Sequence, residues 1–163
     1  RYKYFPETPN ELKVLIKELI NKYGNKVDLN NIDVSNIDDF SNIFNGKYRF
    51  KGDVSEWDVF NGKYFNRMFK FCHWFNSDLS EWDVSNGKDF SYMFYECYNF
   101  NSDLSRWNVF NGIDFECMFY RCKHFNANLS KWDVRKAELW TYFAKESLLE
   151  QYPERIPLKF REE

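Results

Sequence analysis

DLSEWDVSNGKDFSYMF (78–94) restates, almost letter for letter, DVSEWDVFNGKYFNRMF (53–69) before it, and is restated by DLSRWNVFNGIDFECMF (103–119) after it. Each copy starts 25 residues after the last, with Trp57, Trp82, Trp107 and Trp132 marking the interval, and a further start, NLSKWDV, opens at Asn128. A fixed period of this length is the mark of a repeat array, in which one unit buries its apolar face only against its neighbours. Such arrays offer extended binding surfaces.

Within a unit, Leu79-x-x-Trp82-x-Val84-x-Asn86 follows the leucine-rich-repeat strand pattern with the Asn one place early. In a strand, 79, 82 and 84 face inward and Glu81, Asp83 and Ser85 outward. The column Asn36, Asn61, Asn86 and Asn111 then suits side-chain amides that bridge the backbone of successive units. The following F-x-x-[MI]-F has helical spacing and reads as one short helical turn. Upstream, 28–52 is a degenerate first unit with Leu29, Ile32, Val34, Asn36, Phe40, Ile43, Phe44 and Phe50 in the repeating slots.

The flanks differ from the array. Thr8 is a good N-cap, Pro9 fits the first helical position, and Glu11 completes a capping box. Leu12, Leu15, Ile16, Leu19 and Ile20 form one apolar stripe, and Gly24 stops it. A helix over 8–23 must bury that stripe, and the open end of the first unit is where it fits. After Val134 the pattern fades, and KAELWTYFAKESLLEQY (136–152) reads as a second capping helix ended by Pro153 and Pro157.

The expected fold is an α/β repeat solenoid. It is a short, right-handed, leucine-rich-repeat-like array with one parallel sheet, whose strands are Ser55–Val59, Ser80–Val84, Ser105–Val109 and Ser130–Val134. Residues 1–27 form an N-terminal helical cap, 28–134 the repeats, and 135–163 a C-terminal helical cap and tail, all in one folded domain.

The stretches DVSNIDDFSNIF, SEWDVSNGKDFSYMF and FNSDLSEWDV resemble the BspA-like class of leucine-rich repeat from bacterial surface proteins, over about 28–134. One departure is systematic. Gly62, Gly87 and Gly112 replace the apolar residue that follows Asn, though Ile37 keeps it, and Phe40, Phe65, Phe90 and Phe115 replace a Met. Loss of a branched side chain beside a larger ring reads as a volume-conserving repack. The resemblance implies adhesion or protein binding, often at a cell surface, and places no catalytic residue.

Aromatics make up 21% of the 163 residues, 18 of them Phe, so the core is built from rings. A net charge of −2 gives no global attraction to nucleic acid or anionic membrane, and no apolar run approaches a membrane span. Nucleic acid is expected only within a nucleoprotein partner. The column Cys72, Cys97 and Cys122 reads as buried thiols, whereas Cys117, in the slot of Arg67 and Tyr92, reads as exposed. Unpaired thiols and no visible signal lean towards the cytoplasm; a leader removed before Arg1 would point to the cell surface.

Chemistry finds little purchase. The carboxylate column Asp33, Asp58, Asp83 and Asp133, broken by Asn108, lacks a pocket and a second kind of group. Two His and no C-x-x-C do not make a metal site, and the recurring Asn-Gly pairs read as turns. The Trp column falls on the inward phase and reads as core. No enzyme activity, cofactor or metal is expected, and the protein is expected to be a monomer.

What varies between units is more informative. On the outward strand face, Glu56 and Glu81 give way to Arg106 and Lys131. Beyond the expected helical turn the slots read Lys70/Tyr95/Tyr120, Phe71/Glu96/Arg121, His73/Tyr98/Lys123 and Trp74/Asn99/His124. Exposed Tyr, Trp and Arg are the residues that anchor interfaces. Trp74, Tyr95, Tyr98 and Tyr120, with Glu56, Glu81, Arg106 and Lys131, are therefore the expected contacts of a protein partner. Two settings fit: a binding module such as an adhesin, or a small inhibitor of a mobile-element or phage type that blocks an intracellular enzyme or nucleoprotein complex.

Overall fold

The computed structural model describes residues 1–161. After the N-terminal helix the chain stacks in rungs of 25 residues, and hydrogen bonds join each rung to the next. One α-helix, α1 (Pro9–Tyr23), opens it. Its start follows the sequence: the Thr8 hydroxyl accepts the Glu11 N–H at 3.1 Å, and the Glu11 carboxylate reaches back to the Glu7 N–H. Leu12, Ile16 and Leu19 are buried, with Leu15 and Ile20 packed at the margin, and all join one continuous core.

Among the described residues the expected parallel sheet is absent. Strand-type pairing between rungs is likewise limited, among the described residues, to isolated parallel bridges, including Asp39–Tyr64–Asp89–Asp114–Leu139, and none falls in the four expected strands. The reason lies in the residues assigned to them. Asp53, Asp78 and Asp103 each accept the N–H of the serine two residues on, and at the next corner Asp58, Asp83 and Asn108 accept those of Phe60, Ser85 and Phe110. These Asx-turns compete with strand geometry. The Trp57 N–H then closes a turn onto the Val54 carbonyl at 3.1 Å, and that of Gly62 onto Val59 at 2.8 Å. Inward and outward sides still alternate through Trp57, Asp58 and Val59, which is why the pattern imitates a strand.

Side chains hold these corners together. The indole N–H groups of Trp57, Trp82, Trp107 and Trp132 donate to the carbonyls of Leu29, Val54, Leu79 and Leu104 at 2.9–3.0 Å. The Asn61, Asn86 and Asn111 amides donate to the carbonyls of Ser35, Phe60 and Ser85, the bridging role their column suggests.

The F-x-x-M-F segment is not a helical turn either. Asn42, Arg67, Tyr92, Cys117 and Tyr142 have left-handed φ of 52–62°, and Gly46, Phe71, Glu96, Arg121 and Glu146 form a second left-handed column. Each costs a non-glycine residue roughly 1–2 kcal/mol. In return alternate N–H groups point along the stack: those of Phe65, Arg67, Phe69 and Phe71 donate to the carbonyls of Asp89, Ser91, Met93 and Tyr95 at 2.8–2.9 Å.

The second capping helix is also absent. Residues 136–146 continue the stack instead: Leu139 pairs with Asp114, and Tyr142 and Glu146 take their places in the two left-handed columns. Among the described residues only 3-10 helices follow, at Leu149–Gln151, Pro153–Arg155 and Leu158–Arg161. At this end the Glu150 carboxylate accepts the forward-pointing N–H of Glu146 at 2.8 Å.

Rings fill the interior. Phe40, Phe65, Phe90 and Phe115 stack at 5.4–5.6 Å, and Phe44, Phe69, Phe94 and Phe119 at 5.2–5.7 Å. Phe50, Phe75, Phe100 and Phe125 make a third column at 5.7–5.9 Å. The indoles are buried beside them, Trp57 against Trp82 and Trp107 against Trp132, each pair nearly coplanar in tilt and 6.4 Å apart. A Cβ at Gly62, Gly87 or Gly112 would fall on the ring of Phe65, Phe90 or Phe115, so the glycine and the larger ring depend on each other.

Candidate partner-binding face

The left-handed columns decide which variable side chains leave the core together. Residues 67 and 71 and their equivalents make up these columns, with 70 and its equivalents beside the second, and there the rings form a ladder across rungs. Phe71 meets Tyr95 edge-on at 5.5 Å, Tyr95 stacks on Tyr120 at 4.8 Å, and Tyr120 leans on Tyr142 at 6.4 Å. Tyr92 joins from the side, 5.5 Å from Tyr95. Cations lie against the ladder: Arg67 over Tyr92 at 4.8 Å, Lys70 at 5.2 Å from both Tyr92 and Tyr95, and Lys145 over Tyr142 at 4.3 Å.

The carboxylates here are engaged. Glu146 pairs with Arg121 at 2.6 Å, Glu96 accepts the Tyr98 hydroxyl at 2.6 Å, and Glu116 accepts that of Tyr92 at 3.2 Å. The Arg121 guanidinium holds the Glu146 carboxyl below its ordinary range, and the hydrogen bond to Glu146 raises Arg121 in turn. Burial, followed by the Glu96 charge, raises the Tyr95 phenol; the hydrogen bond to Glu96, then burial, raises that of Tyr98. Both remain neutral donors at physiological pH. Arg67, Lys70 and Lys145 form no ion pair among the described residues.

The structure divides the expected contacts. Tyr95 and Tyr120 share the ladder. Tyr98 belongs to a second one, stacked on His73 at 4.4 Å, with Tyr48 beyond. Trp74 is 56% exposed and stands apart beside Lys51. Glu56, Glu81, Arg106 and Lys131 are all exposed on the other side of the rung, but three of the four charges are paired: Arg106 with Glu81 at 2.9 Å and Arg1 with Glu56 at 3.4 Å. Two variable slots prove to be scaffold, since Asn99 donates to the His73 carbonyl and the His124 ring meets that of Tyr98, both at 2.7 Å. Sequence reasoning placed Lys70 in a variable slot without making it a contact, and missed Arg67, Tyr92 and Lys145 as contacts. Their recurrence at equivalent slots was visible, but the left-handed backbone that gathers them was not.

The remaining candidates resolve into structure. Asp33, Asp58 and Asp83 are consumed in Asx-turns, and Asp133 grips Arg135 at 2.7 Å. The thiols of Cys72, Cys97 and Cys122 are buried and donate to the carbonyls of Phe44, Phe69 and Phe94; burial pushes all three far up. Cys117 is buried too, against expectation: it shares the left-handed backbone of the part-exposed Arg67 and Tyr92, and its side chain is much shorter than theirs. Among the described residues, no group of three or more His, Cys, Asp or Glu could hold a metal ion, and no helix is long and apolar enough to cross a membrane.

Fold and face together define a repeat protein with an aromatic, cation-studded flank. The chain belongs to the family described as "Mycoplasma protein of unknown function, DUF285", whose model matches residues 15–132 and 72–152. No curated protein and no solved structure matches it.

Proposed function

We propose that this chain is a non-enzymatic protein-binding module that recognises a protein partner through the variable positions of its aromatic flank. One observation carries the reading. Slots that recur in every rung are consumed by folding, as core rings, Asx-turns or bridges between rungs, whereas Tyr95, Tyr120 and the cations around them vary and meet solvent. Binding energy must come from what folding leaves over. The resemblance to BspA-like repeats supports the same role. Of the two sides named by the sequence, the flank is favoured, because the Glu81–Arg106 pair already neutralises the other.

Affinity capture from the source cell, with mass spectrometry of the retained proteins, tests this directly. A partner should be retained by the intact chain and by Arg106→Glu/Lys131→Glu, and lost from Tyr95→Ala/Tyr120→Ala. Loss through the first pair and not the second would move the site to the opposite side. Retention of no protein would remove the reading.

A further inference from the structure

Two bridging columns break at the same place. In later rungs the Asn99 amide donates to the His73 carbonyl and the His124 ring meets that of Tyr98, whereas Trp74, in their slot, reaches the Tyr48 carbonyl only through its backbone N–H, at 3.3 Å. Its indole is 56% exposed, and the indole N–H has no partner among the described residues. Two residues on, the backbone N–H groups of Asn101 and Asn126 donate to the carboxamide oxygens of Asn76 and Asn101, one rung back. The Asn76 N–H meets no such oxygen, because Lys51 stands in that slot and an ammonium only donates. Trp74, Asn76 and Lys51 line one groove of about 430 Å³, together with Lys26, Asp53 and Asp78. Folding leaves two donors and an aromatic surface unspent there.

We infer that this groove is a carbohydrate site, which lays one neutral pyranose of a glycan against Trp74. A pyranose carries C–H bonds over one face and hydroxyls around its edge. The polarised hydrogens suit the negative face of an indole, and each hydroxyl both donates and accepts. Donors come from the indole N–H, the Asn76 N–H and the exposed Lys51 ammonium, 5.8 Å from the indole centroid; the exposed carboxylates of Asp53 and Asp78 accept. Two cations and two carboxylates cancel, so the groove selects for no net charge. An apolar anchor from a protein needs a closed apolar pocket, and Trp74 is the one apolar side chain lining this groove. A nucleobase would stack on the indole, but its phosphates would meet Asp53 and Asp78. The site uses none of the residues of the Tyr95–Tyr120 flank, so it stands independently of the protein-binding reading.

The test is isothermal titration calorimetry of the full chain with neutral hexasaccharides of glucose, mannose, galactose and N-acetylglucosamine, each alone, and with oligothymidylate. At least one sugar should bind with a Kd below about 1 mM, and the oligonucleotide more weakly. Trp74→Asn, which sets in this slot the residue that the next rung carries at Asn99, should weaken that sugar by at least roughly tenfold. Lys51→Asn supplies the oxygen that the Asn76 N–H lacks and should weaken it too, while Tyr95→Ala/Tyr120→Ala changes it by less than about twofold. Should Trp74→Asn fail to fold, Trp74→His, matching His124, takes its place. No binding of any of the four sugars, or equal binding by the folded Trp74 variant, overturns the inference. Tighter binding of the oligonucleotide, lost on changing Trp74, assigns the groove to nucleic acid and overturns it too. A captured protein released by Trp74→Asn, with no sugar bound, assigns the groove to that protein with the same result. A partner released only by Tyr95→Ala/Tyr120→Ala bears on the flank alone, and the sugar titrations then decide the groove.

Discussion

The indole N–H of Trp82 donates to the carbonyl oxygen of Val54 at 3.0 Å, across 28 residues of sequence, and the same bond recurs at Trp57, Trp107 and Trp132. It does at a corner what a strand ladder would otherwise do, satisfying a buried carbonyl with a donor from the next rung. Trp82→Phe keeps most of the ring and removes the donor, leaving that carbonyl without it. The carbonyl keeps the Trp57 N–H at 3.1 Å, so the expected loss is about 0.5–1.5 kcal/mol, the net worth of one hydrogen bond, read from the urea midpoint. An unchanged midpoint would show that packing alone holds the indole.

Two glycines should resist substitution for different reasons. Gly87 has an ordinary φ, but a Cβ there lands on the Phe90 ring, so Gly87→Ala overpacks the core at a cost of about 1–3 kcal/mol. Gly46 has open space around it and a φ of 80°, so Gly46→Ala should cost only the left-handed penalty of roughly 1–2 kcal/mol. Pairing each change with trimming of the nearest ring separates them. Phe90→Leu should relieve Gly87→Ala, and no such partner exists for Gly46→Ala.

Much of this architecture was legible in the primary structure. The period, the helix from Thr8 to Gly24, the buried indoles, the amide bridges and the three inert thiols all follow from residue type and spacing. The sheet was misread because Asp53-x-Ser55 and Asp58-x-Phe60 bend the backbone without disturbing the inside–outside alternation that a strand also shows. The left-handed columns carry no glycine beyond Gly46, so nothing in Arg67, Tyr92 or Glu96 announces them. For the same reason the final rung, with Tyr142 and Glu146 in phase, passed for a helix, and Cys117 passed for a surface residue.

Acid should loosen the corners in a defined order. The Asp78 and Asp103 carboxyls are held below their usual range by the backbone and hydroxyl groups of Ser80 and Ser105. A depressed folded-state value contributes stability that is complete above the unfolded-state value and is lost as pH falls through the folded one. Thermal midpoints should therefore hold level down to about pH 5 and decline below about pH 4. Asp78→Asn keeps the turn, as Asn108 and Asn128 already do at 3.1 Å, and should flatten the decline. A steeper acid limb in that variant would mean that the carboxylate is not the group being titrated.

Reactivity of the thiols should report unfolding and little else. Cys72, Cys97 and Cys122 are fully buried, and burial keeps them protonated, which suppresses the nucleophilic thiolate. With an aromatic disulfide reagent, modification in the native protein should be slow and should accelerate with denaturant in step with the loss of tryptophan signal. Cys117, buried but 6% exposed, should follow the same course. Rapid labelling of one thiol in the absence of denaturant would place a local opening at that rung.

The last rungs contain a defect that can be repaired. The Ser77 hydroxyl accepts the Val54 N–H at 3.1 Å, and that of Ser102 accepts the Leu79 N–H at 2.9 Å; each also donates to an aspartate, Asp53 and Asp78. One rung further on the slot holds Ala127, so Leu104, which is completely buried, has no such hydroxyl above its N–H, and Asp103 has none to receive. Ala127→Ser adds a single oxygen at a site whose two predecessors show where it goes. Stability should rise by about 0.5–1.5 kcal/mol, the net worth of one new hydrogen bond, and amide exchange at Leu104 should slow to match Leu79. If stability falls and exchange at Leu104 does not change, the extra oxygen has been buried without a partner, and the third rung does not superimpose on the second at the level of its hydrogen bonds.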